Sequence, residues 1–147
     1  MNEFRVQDWM SSEPITVDAN TNLSAAYHLM RLNSIRRLPV IADDGTVVGI
    51  VTWGDLREAK PRRAVTPLKG DDWEARFLAS TMAVAEIMTP DPLTIQAATP
   101  MRDAVALMLK HKVRGLPVVD DTRHLVGILT DSDVFRFVVD ALTVATP

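Results

Sequence analysis

Two short stretches, Thr52-Trp53-Gly54-Asp55 and Thr130-Asp131-Ser132-Asp133, place a hydroxyl and a carboxylate three residues apart, each directly after an apolar run. If the run is a strand and the turn opens a helix, the Thr stands at a helix N-terminus. Unpaired backbone N–H groups and a partial positive charge favour phosphates and other polar ligands there. The Asp is the more informative residue. An ionised carboxylate only accepts hydrogen bonds and repels a phosphate beside it, but it takes two hydrogen bonds from a vicinal diol such as the ribose 2′ and 3′ hydroxyls. Thr and Asp together therefore suit a nucleotide better than inorganic phosphate. The same residue types also cap any helix by satisfying its orphan N–H groups, and both uses stand open at this level.

The two turns belong to a longer recurrence. Aligning Met10 with Met88 sets an offset of 78 that runs without a gap to Asp55 and Asp133. Under it Pro14, Thr16, Met30, Arg36, Leu38, Pro39, Gly49 and Thr52 fall on Pro92, Thr94, Met108, Arg114, Leu116, Pro117, Gly127 and Thr130. Two copies of this length point to a duplicated unit whose halves pack about a pseudo-twofold axis rather than to a solenoid.

Each copy yields the same elements. A short strand, "ITV" or "LTI", is followed by a helix with Leu23, Tyr27 and Met30, or Met101, Val105 and Met108, on one face. Then come two buried strands, "LPVI" with "VVGIV" and "LPVV" with "LVGIL". Their prolines belong at a strand's beginning or edge, since Pro cannot donate to a ladder. A second, shorter helix opens at each Thr-x-x-Asp. The fold class is α+β, α/β-like in local order, with two β-α-β-β-α repeats. Residues 1–60 form the first repeat, 61–83 a connector with a helix starting at Asp71 or Asp72 and carrying Trp73 and Phe77, and 84–147 the second repeat.

Met-x-x-x-Pro, Leu-Pro-Val, Gly-Ile-x-Thr and Thr-x-x-Asp, each present twice, make the chain resemble the paired cystathionine-β-synthase (CBS) domain, or Bateman module, over nearly its whole length. The resemblance implies a regulatory module with two potential clefts for adenosine derivatives such as AMP, ADP, ATP or S-adenosylmethionine, and no catalytic cofactor. It assigns Thr52 with Asp55, and Thr130 with Asp133, to phosphate and ribose, points to Arg36, Arg37 and Arg114 for phosphates, and to Thr16 and Thr94 beside the base. Guanidinium groups suit phosphates by bidentate, charge-assisted bonds, although Arg36 and Arg37 also fit a solvated strand edge. The departure from the pattern is Trp53, where the other copy has Asp131. A bulky ring walls or closes the first cleft, so the Asp133 cleft is expected to be the better site. Read as a ligand contact, Asp133 should cost the unliganded protein no more than a lost cap, about 1 kcal/mol, on replacement by Ala.

Composition narrows the alternatives. A formal charge of −3 lacks the basic excess that a nucleic-acid partner favours. No cysteine is present, which removes disulfides, thiolate metal sites and cysteine nucleophiles. His28, His111 and His124 show no metal-binding spacing, and neither a phosphate loop nor a dinucleotide fingerprint appears. The reading is a non-enzyme, cytoplasmic, with no membrane partner. Its partners are an adenine nucleotide, a second copy of the chain and a protein target on another chain, the alternative being a ligand-free scaffold of the same fold. Homodimerisation is expected because Val134, Phe135, Val138 and Val139 make the last helix more apolar than a terminal helix should expose. Trp9 fits either packing between repeats or a dimer contact.

Overall fold

The computed structural model of the chain describes residues 3–59 and 81–145. The elements run β1 (Ser11–Ser12), α1 (Leu23–Asn33), β2 (Arg37–Ile41), β3 (Val47–Thr52), α2 (Trp53–Glu58), β4 (Thr89–Pro90), β5 (Ile95–Gln96), α3 (Met101–His111), β6 (Gly115–Val119), β7 (Leu125–Thr130) and α4 (Asp131–Ala145). Two β-α-β-β-α repeats of mixed helix and strand are present, as the sequence predicts. The connector helix with Trp73 and Phe77 falls outside the described residues.

The described residues form two compact units, one from Ile15 to Pro92 and the other joining the residues up to Pro14 with those from Leu93 onward. The segment that opens each repeat thus folds with the other repeat's sheet. In the first unit β4 adds antiparallel to β3, with Gly49 opposite Pro90 and Ile50 opposite Thr89. In the second, β1 adds to β7, with Ser11 opposite Ile128 and Ser12 opposite Gly127. These leading segments also close helix ends. The first N–H groups of a helix have no partner within it, and the Met101 N–H donates to the Phe4 carbonyl at 2.8 Å while the Leu23 N–H donates to the Met82 carbonyl at 3.1 Å. Val6 and Val84, one from each leading segment, are fully buried and belong to the two cores.

Gly49 and Gly127 permit this close approach. A Cβ on Gly127 would stand 2.7 Å from the Met10 sulfur and 2.9 Å from the Ser11 carbonyl oxygen, and a Cβ on Gly49 would meet the Met88 sulfur. The repeated Met and Gly are therefore contact partners across the exchange, Met10 on Gly127 and Met88 on Gly49.

Three sequence expectations change. "ITV" contributes only a bridge between Val17 and Val40, whereas "LTI" supplies β5. Pro39 and Pro117 sit third in five-residue strands, and β6 is an inner strand between β5 and β7. Val17 donates to the Pro39 carbonyl at 3.1 Å and accepts from the Ile41 N–H at 2.9 Å, so Pro39 turns its nitrogen away from β3, toward the point where the parallel partner begins. The equivalent register, Ile95 beside Val118, places Pro117 likewise, and neither proline removes a donor that the ladder uses. Finally, the helix after the second turn is not short. α4 has 15 residues against 11 in α3, while α2 has six and ends as Ala59 turns extended.

Candidate functional site

In each unit the topology gathers the candidate residues at one end of a sheet. β2 and β3 are antiparallel, so β2 begins where β3 ends, and Arg37 pairs with Thr52. Val17 runs parallel to β2, which brings the half-buried Thr16 to the same end. The second unit repeats this: Gly115 pairs with Thr130, and β5 runs parallel to β6 with Thr94 just before it. A backbone bond ties each basic residue to its turn. The Trp53 N–H donates to the Arg36 carbonyl at 2.7 Å and the Asp131 N–H to the Arg114 carbonyl at 2.9 Å. Arg36 and Arg114 are exposed and Arg37 is half-buried. Thr16, Arg36, Arg37, Thr52 and Asp55 therefore share one sheet end, and Thr94, Arg114, Thr130 and Asp133 share the other.

The two turns use their side chains differently. At the first, the Thr52 N–H donates to Asp55 Oδ2 at 2.8 Å and the Asp55 N–H donates to Thr52 Oγ1 at 3.1 Å, a reciprocal capping box at the start of α2. Asp55 is half-buried. At the second, Asp133 Oδ2 accepts from the Thr130 N–H at 2.8 Å and from the Thr130 hydroxyl at 3.3 Å, while Oδ1 accepts from the Arg136 guanidinium. Asp133 is 0% exposed. It is a core group, so the expectation that its loss costs only a cap is revised upward. Arg136 was not singled out from the sequence, because it lies one helical turn beyond the motif. The offset itself carries the signal: the position equivalent to Arg136 (136 − 78 = 58) is Glu58.

Trp53 stacks on Tyr27 of α1 with ring centroids 5.5 Å apart and planes 26° off parallel. Tyr27 is buried, and its hydroxyl accepts from Arg31 at 2.8 Å. The indole is thus a packing partner of α1. In the other unit Trp9 meets Phe137 edge-on at 5.4 Å, and Phe4 meets the same ring at 5.2 Å. Trp9 is therefore an internal contact of its unit. His28 and His111 are exposed, and His124 Nδ1 lies 2.7 Å from the Thr122 hydroxyl. Among the described residues no three His, Cys, Asp or Glu side chains are grouped to hold a metal ion. No helix among them is long and apolar enough to cross a membrane.

The profile of the CBS domain matches residues 6–62 and 84–140. A CBS domain-containing protein of Dictyostelium discoideum is 34% identical over 142 residues, which span 97% of this chain and 96% of that protein. A homoserine O-acetyltransferase of Methanocorpusculum labreanum is 36% identical over 125 residues, 85% of this chain but 22% of that enzyme's length. Among solved structures, the CBS-pair protein CBSX2 of Arabidopsis thaliana superposes with a TM-score of 0.80 at 32% identity, covering 97% of this chain and 99% of that one. CBSX2 in complex with AMP gives a TM-score of 0.75 at 29% identity, covering 93% and 97%. With both repeats matched along their length, the chain belongs to the CBS domain family as a tandem pair.

Proposed function

We propose that the chain is a regulatory module that binds an adenine nucleotide of the AMP, ADP, ATP or S-adenosylmethionine class and acts on a protein target carried by another chain. One observation carries the reading: each sheet end assembles a Thr beside the parallel strand, an Arg at the start of the next and a Thr-x-x-Asp turn that opens a helix. This set offers guanidinium and helix N-terminal donors to phosphate and, at an accessible carboxylate, acceptors to a ribose diol. The AMP complex of CBSX2, alike over almost all of both chains, supports the ligand class. Of the candidates, Thr16, Arg36, Arg37, Thr52 and Asp55 form the fuller ligand face, and Thr94, Arg114 and Thr130 the second.

Regulation rather than catalysis is the proposed role in a cytoplasmic setting, since the acetyltransferase relative carries the shared region as about a fifth of its length. The helix α4 supports a homodimer. Phe135, Val139 and Leu142 follow one another at helical spacing and are 68%, 64% and 64% exposed. Sedimentation at micromolar concentration should give the mass of two chains. A monomer alone would leave the stripe without its proposed occupant.

Thermal melting with AMP, ADP, ATP and S-adenosylmethionine tests the ligand reading. A ligand at about 100 times its dissociation constant adds roughly 2.7 kcal/mol, a shift of several degrees for a domain of this size. No shift with any of the four overturns it in favour of a scaffold.

A further inference from the structure

We propose that Arg136 withholds the second turn from diol recognition, leaving Asp55 as the carboxylate that meets a ligand's vicinal hydroxyls, so that each chain takes up one equivalent of adenine nucleotide through its first turn. This deepens the ligand reading above and rests on it.

The two turns match in motif but not in what their carboxylates have left to offer. Asp133 Oδ2 is occupied twice by Thr130 and Oδ1 by the guanidinium of Arg136, and the side chain is 1% exposed. A ribose hydroxyl reaches that carboxylate only by displacing the guanidinium. The carboxylate is enclosed as well as occupied, so lack of access, rather than the strength of a solvent-facing ion pair, is what keeps the hydroxyl out. What the second turn presents to solvent is instead the Arg136 side chain, 63% exposed.

At the first turn the arrangement is open among the described residues. Asp55 Oδ2 takes the Thr52 N–H, and Oδ1 meets no donor among the described residues. The Thr52 hydroxyl accepts from the Asp55 N–H rather than donating to the carboxylate, which keeps its proton for a ligand. The residue one turn along is Glu58, exposed and acidic, and an anion cannot clamp a carboxylate. Whether a guanidinium occupies the carboxylate thus turns on one pair of equivalent positions, Glu58 and Arg136.

Exchanging these residues tests the assignment by calorimetric titration of AMP into the full chain. Wild type should bind one equivalent per chain. Glu58→Arg should copy the clamp onto the first turn and weaken that binding at least 10-fold. Arg136→Glu, which reproduces the first turn's pair, should raise the stoichiometry from one to two. Glu58 is exposed, so Glu58→Arg decides the matter even if Arg136→Glu does not fold by circular dichroism. Two equivalents in wild type, or a Glu58→Arg affinity within twofold of wild type, overturns the assignment while leaving the ligand reading in place. One equivalent in a folded Arg136→Glu chain does the same. Absence of heat with AMP in every chain, joined to the absence of any melting shift, overturns both.

Discussion

Removing the carboxylate of Asp133 leaves the Thr130 N–H without its acceptor and the Arg136 guanidinium without its partner. The guanidinium returns to water, because its side chain is largely exposed, so the ion pair itself contributes little. The loss comes mainly from the N–H at the buried carboxylate, and hydrogen bonds to charged groups are worth about 1.5–3 kcal/mol. Asp133→Ala should therefore lower unfolding free energy by about 2 kcal/mol in urea titration at neutral pH. Asp55→Ala should lose about 1 kcal/mol, the ordinary worth of a cap. Equal losses would mean that burial at the second turn carries no energetic weight. A different carboxylate sets a pH dependence. The Thr122 hydroxyl and the His124 backbone N–H hold the Asp120 carboxyl below its usual range, in the loop between β6 and β7. A group whose pKa is lowered by folding stabilises the native state above its unfolded value and loses that contribution as pH falls through the folded one. Asp120→Asn should be less stable than wild type at neutral pH, and the gap should close below about pH 4. A gap that persists in acid would assign the difference to the turn's shape instead.

The elements most sensitive to a single methyl group are β3 and β7, where a leading segment crosses a glycine. Gly127→Ala drives a Cβ toward the Met10 sulfur and the Ser11 carbonyl, and backbone on one side leaves little room to yield. A loss of about 1–3 kcal/mol is expected, as for other overpacked sites. Gly54→Ala is the control: its Cβ would find only Thr52 Oγ1, at 3.6 Å, and α2 gains a better helix former. It should be neutral or stabilising in the same denaturation experiment, and a loss equal to that of Gly127→Ala would remove the contact explanation. The elements themselves were legible because period and burial agree: Leu23, Tyr27 and Met30 recur at helical spacing and are all buried, and Leu-Pro-Val with Gly-Ile-x-Thr forms the paired strands. The Thr-x-x-Asp turns were legible for the same reason, as local hydrogen-bonding patterns. The partner of each leading segment was not. Both segments carry Met-x-x-x-Pro and both sheets carry the receiving glycine, so local pattern fits either pairing and only the long-range contacts decide. Asp133's burial was hidden differently, since it depends on Arg136 and on packing around α4 that no four-residue motif contains.

At the scale of the whole molecule, each sheet is incomplete without a segment from elsewhere in the chain. Deleting residues up to Ser12 removes β1, the buried Val6 and the carbonyl of Phe4 that closes α3. The unit from Leu93 onward should then lose its cooperative melting transition, read by circular dichroism. Retention of a native transition would show that the leading segment is an ornament on that unit. Ser11 pairs with Ile128, 117 positions later (128 − 11). During translation at about 5–20 residues per second, β1 must wait roughly 6–23 s for the strand that receives it. Through that interval the apolar Phe4, Val6, Trp9 and Met10 emerge without their destination, close to the newly made β3, whose own partner β4 arrives much sooner. The exchange thus makes order of synthesis run against order of assembly. A nascent chain has time to seat Met10 on the wrong glycine, Gly49, before Met88 is made to claim it.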